Sequence, residues 1–218
     1  MSRKSKERER LRLARQYKSA DVIAENLARM EREYPDKSLA QWREETAWHE
    51  AGHAVVGELF DHRIDFVTCE PLIYKGEFIL GIAMVGFRKS KVITTRWGLR
   101  GYLMHLFAGP AVEHVRGTMP EGGMPETDIR AAASIFDQLP FPTQREKDEF
   151  LTAATEDARH VVEVPPVWAA IQEVAERMIV EGTLSGAEVR KIAVRHVSGH
   201  LLQQRKKSVA SSELQKAA

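Results

Sequence analysis

Two histidines and a glutamate stand close together in the stretch TAWHEAGHAVVGELFD, which runs from Thr46 to Asp61. His49 and His53 are four residues apart, so on a helix they project from one face, one turn apart. Two imidazoles at that spacing can hold one zinc ion, and Glu50 can reach a water molecule there without being a ligand. This H-E-x-x-H pattern predicts a zinc site with Glu50 as the general base. The competing interpretation is a helix that carries two histidines satisfied by other contacts.

A zinc ion used in catalysis needs a third protein ligand and an open position for water. The metzincin extension is absent, because Val56 and Leu59 occupy the places of its glycine and third histidine. Glu113 lies in a later helical pattern, where a thermolysin-like enzyme supplies its glutamate. Asp128 opens the helix after a glycine-rich loop, where the helix dipole keeps a carboxylate ionised. Both remain open as third ligands, whereas three nearer candidates cannot easily fold back onto the metal: Glu58, Asp61 and His62.

The element that must present the H-E-x-x-H pattern is a helix with a clear start. Ser38 and Gln41 form an S-x-x-Q capping box, and the helical pattern then runs to about Phe60. Gly52 and Gly57 would each cost about 1 kcal/mol relative to alanine in a helix interior. Their presence predicts that another element approaches this helix closely. Strand patterns follow in RIDFVTCE and EFILGIAMVGF, joined through PLIYKG.

The rest of the chain predicts helices separated by turn residues, so the expected fold is mainly α with a small β-ribbon. Three helical patterns are SADVIAENLARMERE, TTRWGLRGYLMHLFAGPAVEHVRG and TDIRAAASIFDQL, the second with a predicted irregularity at Gly109-Pro110. A helix from about Thr143 to Val162 is closed by Pro165 and Pro166, and another runs from about Val167 to Glu181. The last helix begins at the capping box of Ser185 and Glu188 and runs toward Leu202.

Composition limits the classes of partner. The formal charge of the 218-residue chain is 32 − 31 = +1, which makes nucleic acid an unfavoured partner. No apolar run approaches the roughly 18 residues of a membrane span, and the N-terminus lacks the apolar core of a secretory signal. Cys69 is the only cysteine, so no disulfide can form within the chain. Together these features predict a cytoplasmic location.

Four stretches resemble, in the same order, the peptidase domain of the FtsH family of ATP-dependent zinc metalloproteases. They are TAWHEAGHAVV, LFAGPAVEHVRG, PETDIRAAA and AERMIVEGTLSGAEVRKI. The resemblance implies that His49 and His53 are zinc ligands, that Glu50 is the catalytic base and that Asp128 is the third ligand. It also implies that Glu113 is an acidic residue that supports the metal histidines without binding the metal.

The resemblance implies a helical zinc-metallopeptidase domain, and charge and composition predict a further segment on each side of it. Residues 1–35 are a basic N-terminal arm and helix, residues 36–203 the FtsH-like zinc peptidase domain, and residues 204–218 a flexible tail. The sequence departs from the family in containing no G-x-x-x-x-G-K-[ST] motif. The expected function is a Zn²⁺-dependent metalloendopeptidase that hydrolyses unfolded or flexible polypeptides without an ATPase of its own. A separate ATPase or a regulatory protein is the expected further partner, and the basic arm is a candidate docking element for it.

Two other functions stay open. One is a zinc-containing regulatory or docking module that acts with a partner protein, although an intact Glu50 argues against it because a structural site needs no base. The other is a thermolysin-like zinc hydrolase with Glu113 as the third ligand. The remaining histidines have no partner at H-E-x-x-H spacing and are predicted not to be ligands: His62, His105, His114, His160, His196 and His200.

Overall fold

A computed structural model of the chain describes residues 20–85, 96–119, 126–136, 141 and 143–197. Its helices are α1 (Ala20–Glu33), α2 (Leu39–Leu59), α3 (Arg96–Arg116), α4 (Glu126–Phe136), α5 (Gln144–Val162), α6 (Pro165–Glu181) and α7, residues 186–197. Its strands are β1 (Ile64–Thr68), β2 (Leu72–Tyr74), β3 (Glu77–Ile79), β4 (Ile82–Val85) and β5 (Thr183–Ser185). The predicted fold class, mainly α with a small β component, is confirmed.

Two of the segments predicted from the sequence lie outside the described residues. They are the basic part of the N-terminal arm, residues 1–19, and the C-terminal tail, residues 204–218. Within the described part of the chain, no helix combines the length and the apolar character needed to cross a bilayer.

Helix α2, which carries the H-E-x-x-H pattern, begins where the capping box predicts. The backbone N–H of Gln41 donates to Oγ of Ser38, and the backbone N–H of Ser38 donates to the side-chain oxygen of Gln41. These two hydrogen bonds cap the N-terminus of α2, where a helix otherwise leaves backbone donors unpaired. The helix ends at Leu59, one residue before the predicted end.

Helices α2 and α3 cross closely because glycine lets their backbones approach. A Cβ added to Gly52 would lie 2.7 Å from the carbonyl oxygen of Ala108, and one added to Gly57 would lie 3.0 Å from Nδ1 of His105. The prediction that another element approaches α2 at both glycines is therefore confirmed. Around this crossing, α2 also packs against α6, and α3 packs against α4 and α5, so the crossing lies at the centre of the helical core.

The strands form two small antiparallel groups, a sheet in the order β4–β1–β5 and the hairpin β2–β3. The prediction of two strands and a linker is wrong in detail. The linker contains β2, and the second predicted strand is interrupted at Leu80 and Gly81 into β3 and β4. The reason is the tight turn at Lys75 and Gly76, whose φ angles are 52° and 87°. It folds β3 back onto β2, which leaves β4 to pair with β1.

Three proline positions test the predicted helix boundaries. Helix α3 continues through Pro110, so the predicted irregularity does not end the helix. Pro165 and Pro166 begin α6, in addition to following the end of α5. Proline suits the first turn of a helix because the backbone N–H it lacks would be unpaired there. The unpredicted strand β5 then joins α6 to α7 and pairs with β1.

Candidate metal centre

His49 and His53 on α2 meet Asp128 on α4. The two Nε2 atoms lie 2.9 Å apart, and Oδ2 of Asp128 lies 3.3 Å from Nε2 of His49 and 3.6 Å from Nε2 of His53. Ligand atoms bound tetrahedrally at about 2.0–2.1 Å from a zinc ion lie about 3.3–3.4 Å from each other. The three separations are close to the edges of such a tetrahedron. Among the described residues, this is the one group of histidine, cysteine or acidic side chains compact enough to hold a metal ion.

Hydrogen bonds at the other ring nitrogens decide how the two histidines face the site. Nδ1 of His49 donates to Oε1 of Glu113 at 3.0 Å, and Nδ1 of His53 donates to the backbone oxygen of His105 at 2.8 Å. Because a carboxylate and a carbonyl only accept, each Nδ1 carries a proton, and Nε2 of a neutral ring then offers a lone pair. Two lone pairs that face each other at 2.9 Å repel unless a proton or a cation lies between them.

Asp128 places a negatively charged carboxylate beside the Nε2 atoms of His49 and His53. Its Oδ2 atom is buried and has no hydrogen-bond partner of ordinary geometry among the described residues. Burial by itself raises the pKa of Asp128, but the two histidines outweigh it and hold the pKa below its usual value. With both histidines neutral, this ionised and buried oxygen would have no donor, which is costly. Either a proton on a ring Nε2 atom or a coordinated cation would remove that cost.

Gly109 on α3 keeps the space between the ligand atoms open. A Cβ at this position would lie 2.5 Å from Nε2 of His53 and 2.7 Å from Nε2 of His49. Any side chain larger than hydrogen would therefore press on both ligand nitrogens. Two imidazoles, one carboxylate and a free space beside them together fit a bound metal ion.

Glu50 lies on the same helix as the two histidines and makes a different contact. Its Oε2 atom accepts a hydrogen bond of 2.6 Å from the backbone N–H of Ala83 in β4. Burial raises the pKa of the carboxyl group, while the nearby His49 and His53 act in the opposite direction. The residue is buried, with 9 % of its surface exposed. The structure thus holds a buried carboxyl group next to the candidate metal ligands but outside the compact group that they form.

Glu113 contacts His49 from the side opposite Asp128. Its Oε1 atom is bonded to Nδ1, whereas Asp128 faces Nε2 of the same ring. One imidazole presents its two nitrogens on different edges, so Glu113 in this position orients His49 and does not share its ligand face. Of the two third ligands left open by the sequence, the geometry favours Asp128.

His105 is a residue of the site that the sequence analysis missed. Its Nδ1 atom donates to the backbone oxygen of His53 at 2.7 Å. Burial, together with the neighbouring His53 and His62, lowers the pKa of His105 to about 3, so the ring is neutral at physiological pH. His62 in turn packs against the rings of Tyr102 and His105. The contacts between His105 and His53 were not predicted, because they arise only where α3 crosses α2.

The other histidines predicted not to be ligands stay away from the compact group as far as the structure describes them. His114, His160 and His196 lie outside the group, and His196 instead contacts Glu173 at 2.9 Å. His200 lies outside the described residues.

No protein-family model matches the chain, and no curated protein matches it. The resemblance to the FtsH peptidase domain therefore depends on the four sequence motifs and on the residues that they contribute. Three of these residues, His49, His53 and Asp128, converge in the structure, and Glu113 contacts the first of them.

Proposed function

We propose that this protein is a zinc-dependent metalloendopeptidase, similar to the FtsH peptidase domain, that hydrolyses unfolded or flexible polypeptides without an ATPase of its own. The observation that carries the proposal is the convergence of His49, His53 and Asp128 beside the buried carboxyl group of Glu50. A structural zinc site is closed by four protein ligands, whereas a catalytic one has three and an open position. The described residues supply three ligand atoms and a neighbouring base, which is the catalytic pattern.

Each residue of the site has a defined part in this reaction. A zinc ion held by His49, His53 and Asp128 would polarise the scissile carbonyl and lower the pKa of a water molecule to about 7. Glu50 accepts the proton of the attacking water and passes it to the leaving amine. Its raised pKa supports this role, because a base that must also act as an acid works best when its pKa approaches the operating pH.

Hydrogen bonds keep the reacting groups in position. The N–H of Ala83 holds one oxygen of Glu50, so the carboxyl group does not turn freely. Glu113 accepts from Nδ1 of His49, which fixes the tautomer of the ring and raises the basicity of its ligand nitrogen.

Strand β4 supports an extended polypeptide as the substrate. Among the described strands, β4 pairs with β1 on one side, and the N–H of Ala83 points from β4 to Glu50. The edge of β4 that faces away from β1 therefore faces the site. The N–H of Ala83 is already bonded to Glu50, so a peptide added along this edge would be held by backbone hydrogen bonds to the other outward groups of β4. It would pass the metal ligands in the extended form that hydrolysis requires.

The test combines metal analysis with cleavage of casein, an unfolded protein. The purified chain should hold about one zinc ion per protomer and should cleave casein. Glu50→Gln is the matched control, because glutamine keeps an oxygen for the N–H of Ala83 but cannot take up the proton. It should retain zinc and lose about 10²–10⁴-fold in rate. Unchanged turnover in this variant, or a zinc-loaded protein that leaves casein intact, would overturn the peptidase assignment.

A further inference from the structure

His53 and His105 each bind the backbone of the other's helix. Nδ1 of His53 donates to the backbone oxygen of His105 at 2.8 Å, and Nδ1 of His105 donates to the backbone oxygen of His53 at 2.7 Å. The ring centroids lie 5.6 Å apart, and both residues are buried, with 6 % and 3 % of their surface exposed. The two rings therefore join α2 to α3 at one place, and one of the two rings is a proposed metal ligand.

Both histidines begin the same short pattern, H-x-x-x-G. His53 is followed one turn later by Gly57, and His105 is followed one turn later by Gly109. Each glycine faces the ring from the other helix: a Cβ on Gly57 would lie 3.0 Å from Nδ1 of His105, and one on Gly109 would lie 2.5 Å from Nε2 of His53. Each glycine thus leaves the space that the opposite imidazole occupies. The repeated pattern builds the helix crossing from two equivalent halves.

We propose that His105 is a positioning residue of the metal centre, whose ring fixes the helix crossing at which His53 presents Nε2 to the metal. The inference rests on the metal centre of the proposed function and does not depend on the peptidase reaction. Nδ1 of His53 is held by the backbone of His105, and that backbone is held in turn by the ring of His105 on the carbonyl of His53. Without the ring, the acceptor for Nδ1 shifts and the direction of Nε2 shifts with it.

Two substitutions at this position separate the hydrogen bond from the packing. In His105→Asn, the side-chain N–H₂ is attached to Cγ, as Nδ1 is in histidine, so it can still donate to the carbonyl of His53. In His105→Leu, apolar atoms fill the same region and no donor remains. Val189→Ala serves as the control for general loss of stability, because Val189 is fully buried in α7, which carries no residue of the site.

The readouts are zinc affinity, from competition with a chromophoric chelator, and the visible spectrum of the Co²⁺-substituted protein, which reports ligand geometry. His105→Leu should bind zinc about 10–100-fold more weakly, the usual cost of removing a group that orients a metal ligand, and should change the cobalt spectrum. His105→Asn and Val189→Ala should resemble the wild type in both measurements. Wild-type affinity and spectrum in His105→Leu would overturn the inference, as would equal losses in the leucine and asparagine variants.

A second variant covers the case in which His105→Leu does not fold. Gly57→Ala keeps the ring of His105 but places a methyl group against its Nδ1 atom, so the cobalt spectrum should change. An unchanged spectrum in this variant would contradict the inference. If the wild-type chain binds neither zinc nor cobalt, the proposed metal centre itself is wrong. If the wild type binds metal and His105→Leu behaves like it, only the positioning role of His105 is wrong.

Discussion

Glu113 accepts a hydrogen bond of 3.0 Å from Nδ1 of His49, on the opposite side of the ring from the Nε2 atom that faces Asp128. Two carboxylates thus act on one imidazole in different ways, since one orients the ring and the other lies on its ligand face. Orientation of a ligand histidine by a carboxylate is a common way to fix its tautomer and strengthen its bond to a metal. The two acidic residues should therefore differ when they are substituted.

We expect Asp128→Asn to lose zinc and Glu113→Gln to keep it with weaker affinity. Asparagine at position 128 would lack the negative charge of the ligand oxygen, whereas glutamine at position 113 still offers an oxygen to Nδ1 of His49. The loss at Glu113 should be about 10–100-fold in zinc affinity, measured by chelator competition alongside the zinc content after gel filtration. The reverse order, with zinc lost in Glu113→Gln and retained in Asp128→Asn, would support the thermolysin-like alternative.

Gly109→Ala should prevent zinc binding without unfolding the protein. The added Cβ would lie within 2.7 Å of both ligand nitrogens, so it would occupy the space that the ion needs. Alanine is the better helix former by about 1 kcal/mol, which favours the helical backbone of α3. Thermal unfolding and zinc content would be measured together.

The matched control for this substitution is Gly101→Ala in the same helix. There the added Cβ would meet the ring of Phe60 at 2.9 Å, away from the metal ligands. This variant should disturb packing and keep its zinc. Equal zinc content in Gly109→Ala and the wild type would show that the ion does not lie between the two Nε2 atoms.

The sequence predicted the parts of the site that depend on local spacing. The capping box of Ser38 and Gln41 and the positions of His49 and His53 follow from helix geometry alone, and all four appear in the structure as predicted. The glycines of α2 also indicated the crossing with α3, because a helix interior rarely holds a glycine without a packing reason.

The parts that the sequence could not decide depend on contacts between distant elements. The choice between Glu113 and Asp128 requires the direction in which α3 and α4 pack on α2, and both residues lie on helices beyond the β segment. The H-x-x-x-G pattern that His105 shares with His53 does not by itself reveal a role for His105, because the partner of its ring is a backbone carbonyl of another helix. Strand β5 has three residues, too few for a periodic pattern, and it forms because β1 offers it an edge.

Zinc binding should release a proton from the metal-free site. Burial by itself lowers the pKa of His49, but the adjacent carboxyl groups of Asp128 and Glu113 outweigh it and raise the pKa from 6.5 to about 10. A metal-free protein at neutral pH therefore carries a proton that zinc must displace. The pKa of His49 is higher in the folded protein than in the unfolded chain, so protonation of this ring stabilises the metal-free fold. The stabilisation is fully present below pH 6.5 and is lost as the pH rises through about 10.

Two measurements test the predicted proton release and the predicted loss of stability at high pH. Calorimetric titration with zinc at neutral pH, in buffers of different ionisation enthalpy, should show a buffer-dependent heat that corresponds to proton release. The thermal midpoint of the EDTA-treated protein should fall between neutral pH and about pH 10, and the zinc-loaded protein should not follow that trend. A binding heat that is independent of the buffer would contradict the prediction.

The last prediction concerns the physical state of the substrate. A scissile bond can reach Glu50 and the metal ligands only in an extended segment, because Glu50 is buried and held by strand β4. A folded domain is stable by about 5–15 kcal/mol, so its backbone seldom opens unaided. In the FtsH family that the motifs resemble, an ATPase module supplies the unfolding, and this sequence contains no phosphate-binding motif for such work. The chain alone should therefore cleave flexible polypeptides and leave stable domains whole.

The sharpest comparison uses one substrate in two states, a tightly folded protein and a destabilised point mutant of the same protein. The mutant should be degraded faster in proportion to its unfolded fraction, because when opening is fast relative to cleavage the rate follows the population of the open form. ATP should leave both rates unchanged in the absence of a separate ATPase. The Glu50→Gln variant, assayed in parallel, accounts for any contaminating protease. Equal degradation of the two substrates, or acceleration by ATP alone, would show that the chain opens folded proteins by itself and that the proposed dependence on unfolded substrate is wrong.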